Sequence, residues 1–231
     1  MKVLAVVPAR SGSKGIKNKN LTKFLGKPLI FYTLNILNKL NDTVYPFIST
    51  DSKKILNYTK KLGFNQSYLR PKNLSLDKSN VVYAVLDGIN YLKKKKLNFD
   101  YVLLLEPTSP KRDFKNLKKI IKKVVNSNLE SCASVCRLPF HPSESVFFKN
   151  GRWKFIKKNN ENIFRRQQFN KNYYFIDGNF YLRKVSFLKK YKKFIKEDKT
   201  SLIINNLNYP IDINNYLDLK IAETIIKNEK K

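Results

Sequence analysis

The chain has 231 residues and a mass of 27.2 kDa, with 42% hydrophobic residues, 13% aromatics and no Gly/Ser-rich or Pro-rich tract. That composition excludes a disordered tail, a collagen-like fibre and a disulfide-stapled miniprotein, and leaves room for a sizeable core. Charge is the outlier, because 47 Lys+Arg against 17 Asp+Glu leaves +30, a balance that points first to nucleic acid or an anionic membrane. The lysines are nevertheless scattered along the chain, in a composition rich in Lys, Asn, Ile, Tyr and Phe with only 7 Gly and 1 Trp. Compositional drift of an AT-rich genome accounts for such an excess without any polyanionic partner.

The opening MKVLAVVPAR carries a short apolar run that stops at Pro8, too short for a signal peptide, and no apolar run approaches the ~20 residues of a membrane span. The expectation is a cytoplasmic protein without a membrane partner. Short apolar runs at Val3–Val7, Val44–Ser49, Tyr101–Leu105 and Ser131–Cys136 alternate with helical patterns at Leu29–Leu40, Lys53–Leu62, Asn80–Leu92 and Phe114–Val125. This alternation predicts an α/β fold, a mostly parallel sheet flanked by crossover helices. Asp51-Ser52 and Asp77-Lys78-Ser79 stand where helix N-caps are expected. Cys132 and Cys136 share one strand, about 13 Å apart at ~3.3 Å per residue, so they cannot pair and read as buried thiols.

From residue 139 the texture changes. Residues 139–170 read as a β-containing insertion in a single domain spanning 1–231, with a hairpin turning at Asn150-Gly151. Its aromatics Phe147, Phe148, Trp153 and Phe155 either pack on the parent sheet or form an interface. The core resumes at Tyr173–Leu182 and Leu202–Ile204, and a last helix starts near Tyr216.

The first strand runs directly into PARSGSKGIKNKN, a loop with two glycines, two serines and Arg10, Lys14, Lys17 and Lys19. Small residues let backbone N–H groups approach phosphate oxygens while the cations neutralise them. Neither GxxxxGK[ST] nor GxGxxG is present, so a Walker loop and a dinucleotide-binding turn are both unsupported; a merely solvated basic loop is the competing reading. His141, the only histidine, precedes Pro142 at the start of the insertion and reads as structural or interfacial. No Ser/His/Asp or Cys/His set can be assembled for covalent catalysis.

PARSGSKGIKNKNL is followed by GKPLIFYTL, STDS, RPKNLSLD, LLLEPTSPKR, HP, RRQQ, DGNFYL and PIDINNYLDLKIAE. In this order the chain resembles the acylneuraminate cytidylyltransferases, the CMP-sialic acid synthetases and their relatives, over nearly its whole length. The resemblance implies a Rossmann-like nucleotidyltransferase, a homodimer joined through the insertion, and transfer of CMP from CTP to an acidic nonulosonic sugar with release of pyrophosphate. It assigns Arg10, Ser13, Lys14, Lys19 and Asn20 to the nucleotide, with Lys19 stabilising the transferred phosphorus and Arg10 and Asp212 also catalytic. Arg70, Asp77 and Ser79 are implied at the cytosine, and Glu106, Thr108, Ser109, Arg166, Gln167, Asp177 and Tyr181 at the sugar. The 165–168 segment is one residue longer than the usual spacing, which leaves its register open.

The departures from the family pattern concern charge. Where the family has Asp-x-Asp for Mg²⁺ or Mn²⁺, this chain has Asp212-Ile213-Asn214. The expectation is weaker metal binding rather than lost activity, since one carboxylate, waters and phosphates can hold Mg²⁺; the competing reading makes Asp212 a cap for the last helix. Glu106 and Asp177 replace a family Gln and Asn, and two carboxylates beside an acidic sugar repel it unless they meet amino or hydroxyl groups. Three alternatives stay open: an enzyme for another 3-deoxy-ulosonic acid, a basic nucleic-acid-binding module, and a catalytically inactive relative.

Overall fold

The computed structural model describes residues 1–138, 141–156, 173–205 and 210–229. In chain order the main elements are β1 (Val3–Pro8), β2 (Lys23–Phe24), β3 (Lys27–Pro28), α1 (Leu29–Lys39), β4 (Tyr45–Ser49) and α2 (Lys53–Lys60). They continue with α3 (Val81–Lys94), β5 (Tyr101–Leu104), α4 (Phe114–Asn126), β6 (Ser131–Arg137), β7 (Val146–Lys149) and β8 (Arg152–Phe155). The chain closes with β9 (Tyr174–Lys184), α5 (Val185–Tyr191), β10 (Ser201–Ile204) and α6 (Tyr216–Asn228). The four apolar runs and the four helical patterns all form the expected elements, with ends shifted by one or two residues.

The central sheet has the order β10-β6-β9-β5-β1-β4. β1 pairs in parallel with β4 and β5, β10 pairs in parallel with β6, and β9 alone runs antiparallel to both its neighbours. The fold is therefore α/β and mostly parallel. The chain passes from β1 out to β4 and returns across β1 to β5, so the loops leaving β1 and β5 diverge and open a crevice at their carboxyl ends, where ligands bind in such sheets.

Strands buried on both faces explain the near-continuous apolar runs. On one face Ala5, Val7 and Leu103 meet Ile30, Leu34 and Leu37 of α1 and Leu117 and Ile121 of α4. On the other, Leu4, Val6, Val102 and Leu104 meet Val82, Val85 and Ile89 of α3 and Val185 and Leu188 of α5. A third cluster lies under the crevice, where Ile16, the one apolar side chain amid the basic loop's cations, is fully buried with Phe24, Leu29, Ile213 and Leu219. Burial of Ile16 pins a loop that would otherwise be a solvated polyelectrolyte.

Ser52 caps α2 as expected, its side chain accepting from Ile55 N. The cap of α3 is Asn80, which accepts from Val82 N, and not the Asp77-Lys78-Ser79 tract. α6 is capped by Asn215 in a reciprocal capping box with Asp218, so Asp212 is not the cap of the last helix. Cys132 and Cys136 are both buried and unbridged, and burial pushes the Cys132 thiol up to about 11.

β7 and β8 form their own two-stranded sheet, and Asn150 and Gly151 both adopt positive φ, 52° and 72°, as a two-residue hairpin turn requires. Two of its aromatics stand well open among the described residues: Phe148 is 76% and Trp153 56% exposed. Residues 139–140 and 157–170 of the proposed insertion lie outside the described residues. His141 accepts from Ser143 N through Nδ1 and packs edge-on against Tyr173, a structural position at the root of the hairpin. Among the described residues no helix is long and apolar enough to cross a membrane.

Candidate active site

A cleft of about 400 Å³ opens beside the ends of β1 and β5, walled by Pro8, Arg10, Ser13, Lys14, Gly15, Lys19, Asn20, Asp77, Glu106, Pro107, Thr108 and Asn214. Three segments far apart in sequence meet there. Ile213 N donates to Thr108 O at 2.9 Å, which ties the segment before α6 to the loop after β5. Lys19 Nζ donates to Ile213 O at 2.9 Å, which ties the basic loop to the same segment.

The basic loop is held by its own polar groups as well as by Ile16. Asp51, at the end of β4, accepts from Ser11 N at 2.7 Å and from Ser11 Oγ at 2.6 Å. Asn20 is buried and donates to Arg10 O at 3.0 Å. Arg10 forms an ion pair with Asp77 at 2.7 Å, and Lys14 approaches the same carboxylate at 3.5 Å. Asp77 thus holds two of the cations that wall the cleft.

Lys19 is half-buried. Burial pushes its ammonium below the ordinary lysine range, Arg10 adds to the effect, and Asp212, Glu106 and Asp218 oppose it. Glu106 shows the mirror image, because burial first and Asp212 second raise its carboxyl, while Arg112 and Lys19 pull it down. Lys19 therefore lies within electrostatic reach of two carboxylates, Asp212 and Glu106, and of Arg10.

The residues expected at the sugar separate. Glu106 and Thr108 face the cleft, and Ser109 is buried just behind it. Tyr181 is half-buried on β9, its phenol raised to about 12 by burial and by Glu106. Asp177 is 5% exposed and occupied by the sheet: it accepts from Ser134 Oγ, from Asn179 N at 3.0 Å and from Asn205 Nδ2 at 2.9 Å. Its carboxylate bridges β9, β6 and the end of β10. Arg166 and Gln167 lie outside the described residues.

Two residues expected at the nucleotide stand back from the cleft wall. Arg70 is 5% exposed, with Nε on Ser49 Oγ at 3.0 Å and Nη2 on Ser49 O. Ser79 spends its hydroxyl on Asn73 O at 2.7 Å, closing the loop that carries Asp77.

For a divalent cation the donor set is sparse. Asn214 Nδ2 donates to Asp212 Oδ2 at 2.8 Å, and among the described residues no three His, Cys, Asp or Glu side chains gather as a metal cluster. The set fits a cation that brings most of its ligands as phosphate oxygens and water, with Asp212 and the Asn214 amide oxygen as the protein's share.

A sequence model described as cytidylyltransferase matches residues 4–228. The chain belongs to the cytidylyltransferase family. This nucleotidyltransferase is 29% identical over 237 residues to the CMP-N,N'-diacetyllegionaminic acid synthase of Legionella pneumophila, covering 98% of this chain and 97% of that one. It is also 29% identical over 232 residues to a pseudaminic acid cytidylyltransferase of Campylobacter jejuni, again covering 98% and 97%. Among solved structures, a CMP:2-keto-3-deoxy-manno-octonic acid synthetase complexed with CTP superposes with a TM-score of 0.69 at 13% identity, covering 99% of this chain and 100% of that one. A 4-diphosphocytidyl-2C-methyl-D-erythritol synthase from Anaerococcus prevotii gives 0.60 at 11% identity, with 98% of each chain covered. At such identities these two likenesses concern the fold.

Sequence reasoning missed the residues that hold the enzyme's cleft in shape. Arg112 is buried at the end of the loop after β5 and donates to Asn179 O at 2.7 Å, Thr33 Oγ1 at 3.0 Å and Glu106 O at 2.7 Å. It joins β9, α1 and the Glu106 loop in one contact. Asp51 was readable only as part of a cap, because its bond to Ser11 spans 40 residues and leaves no local pattern.

Proposed function

We propose that the enzyme transfers CMP from CTP to the anomeric hydroxyl of an acidic nonulosonic sugar, releasing pyrophosphate, and that it does so in the cytoplasm, where CTP is available. The observation that carries this reading is the convergence of Arg10, Lys14 and Lys19 on one cleft whose other wall is the Glu106–Ser109 loop. The relatives matched over nearly their whole length carry the names of legionaminic and pseudaminic acid, and the basic wall and polar wall suit a triphosphate and a sugar respectively.

Nucleotidyl transfer asks for charge neutralisation and alignment rather than a covalent intermediate. The triphosphate displaces Asp77 as the partner of Arg10 and Lys14. Lys19, already partly stripped of water, stabilises charge at the α-phosphate, and desolvation strengthens that interaction. Asp212 and Asn214 would hold Mg²⁺ or Mn²⁺ together with the phosphates, and such an ion supplies charge withdrawal from the phosphoryl oxygens. Glu106, Thr108, Ser109 and Tyr181 orient the sugar, and Arg166 and Gln167 join them under this reading. Arg70 serves cytosine recognition only by exchanging its bonds to Ser49, and Asp177 supports the sugar wall from behind.

The exposed hairpin face, Phe147, Phe148, Trp153 and Phe155, is assigned to a homodimer contact. The excess of positive charge needs no nucleic acid, though it helps steer anionic substrates at low salt. The test is pyrophosphate release over the four nucleoside triphosphates and a panel of eight- and nine-carbon 2-keto-3-deoxy acids. Release with CTP and a nine-carbon acid supports the proposal; release confined to another nucleotide or to eight-carbon acids overturns it.

A further inference from the structure

Arg183, near the end of β9, is the largest side chain that is completely buried among the described residues. Its Nη1 donates to Ser131 Oγ at 2.9 Å, while Nε and Nη2 are buried without a hydrogen-bond partner among the described residues. Burial pushes the guanidinium down to about 9, against Cys132 and Tyr181, and no carboxylate takes part. A buried cation without an acid partner costs stability. What surrounds it instead is aromatic: the guanidinium carbon lies 4.9 Å from the ring centre of Phe194, 5.5 Å from that of Tyr181 and 6.0 Å from that of Phe187.

Tyr181 shares this face of β9, two residues earlier. Its hydroxyl makes no hydrogen bond among the described residues, so the ring and not the oxygen decides where the phenol points. That oxygen ends 3.9 Å from where a Cβ on Gly178 would stand, and Glu106 Oε2 ends 3.5 Å from the same point. Against the ring stand the Arg183 guanidinium and Phe194, whose ring centre is 5.6 Å away at an interplanar angle of 49°. Arg183 also fastens the segment that carries Phe194. Ser131 Oγ, its partner on β6, lies 3.0 Å from Thr200 Oγ1, which accepts from Lys196 N at 3.1 Å. One guanidinium therefore joins β6, the segment before β10 and the Tyr181 ring.

We propose that Arg183 is a positioning residue, which holds the Tyr181 ring from within the sheet so that the phenol reaches the cleft beside Glu106. It touches neither nucleotide nor sugar. The role rests on the sugar transfer proposed above, in which Tyr181 orients the acidic substrate, and it falls to a residue that the family resemblance leaves unassigned. Buried charges are often replaced by apolar groups of similar size with no loss of stability, or with a gain. Removing Arg183 should therefore separate activity from folding.

Wild type, Arg183→Met, Tyr181→Phe and the double variant are compared in thermal melts and in kcat/KM for the acidic sugar and for CTP. Arg183→Met should melt no lower than the wild type, lose about 5- to 30-fold in kcat/KM for the sugar and keep its KM for CTP. In the Tyr181→Phe background the loss from Arg183→Met should shrink several-fold, because both changes act through one phenol. Arg183→Lys, which keeps a cation near the rings, should recover part of the rate. A folded Arg183→Met as active as the wild type overturns the role, and so does a loss that is undiminished in the Tyr181→Phe background or that falls equally on CTP. Should Arg183→Met not fold, the same cycle with Arg183→Lys decides by the same criterion. Failure of the cycle alone leaves the transfer reaction standing; a wild type silent with CTP and every acidic sugar overturns the reaction, and this role with it.

Discussion

Gly15 lies directly against the backbone carbonyl of Asn214, so closely that a Cβ at position 15 would sit 2.1 Å from that oxygen. This approach is what allows the basic loop and the Asp212–Asn214 segment to share a cleft wall. Gly12, three residues earlier, meets nothing within 4 Å. Gly15→Ala should therefore push the segments apart, at about 1–3 kcal/mol of stability and with a large fall in kcat/KM, whereas Gly12→Ala should be mild in both. Equal effects in thermal melts and rate assays would remove the close approach from the account.

Lys19 ties the basic loop to Ile213 O and faces the cleft with Arg10. Replacing it by Met should lower kcat on the order of 10²- to 10³-fold, the usual cost of removing one preorganised stabiliser of developing charge. Burial lowers the Lys19 ammonium, so it sheds its proton at a lower pH than an ordinary lysine, and activity should fall on the alkaline side earlier than lysine chemistry alone predicts. Lys19→Arg should move that alkaline limb upward in a pH–rate profile. An unmoved limb would assign it to another group.

Glu106 makes the opposite prediction for stability. Its carboxyl is raised in the folded chain by burial and Asp212, against Arg112 and Lys19, from an ordinary value of 4.5. The folded state then binds this proton more tightly than the unfolded state, so stability falls as pH rises from 4.5 through the raised value, and the penalty is complete above it. Glu106→Gln should raise Tm near neutral pH, and the gain should shrink as the pH drops toward the ordinary carboxylate range. A gain that is independent of pH would locate the effect in packing instead.

The hairpin aromatics predict association. Phe148 and Trp153 stand 76% and 56% exposed on a two-stranded sheet that lacks a core of its own. The wild type should elute as a dimer in light scattering, and Phe148→Ser with Trp153→Ser should shift it to a monomer while leaving the far-ultraviolet circular dichroism intact. A monomeric wild type, or a dimer indifferent to both changes, would assign this face elsewhere.

Much of the architecture was legible because the physics was local. β1, β4, β5 and β6 are apolar runs buried on both faces, and α1 to α4 carry apolar stripes, so period alone distinguishes them. The direction of β9 was not legible: an antiparallel strand between β5 and β6 has the same apolar pattern as a parallel one. α5 is a seven-residue turn fused to the end of β9 and too short to show a period. In the site, the basic loop announced itself by composition, but its anchors did not. Arg183 illustrates the difficulty: it is fully buried on β9 with Nη1 on Ser131 Oγ and its guanidinium among Tyr181, Phe187 and Phe194. An arginine followed by Lys184 at the end of a strand reads as surface until the surrounding rings are assembled. The two added carboxylates looked equivalent in sequence, and tertiary contacts alone separate Asp177, held within the sheet, from Glu106, which faces the cleft.

Under the proposed function, the cleft formed by Arg10, Lys14, Lys19 and Glu106 joins CMP to an acidic sugar. Phosphorus NMR of the enzyme with CTP, Mg²⁺ and a nine-carbon 2-keto-3-deoxy acid tests it most directly. The account predicts one new phosphodiester resonance appearing in step with pyrophosphate. Orthophosphate with CDP, or pyrophosphate accompanied only by free CMP, would contradict it.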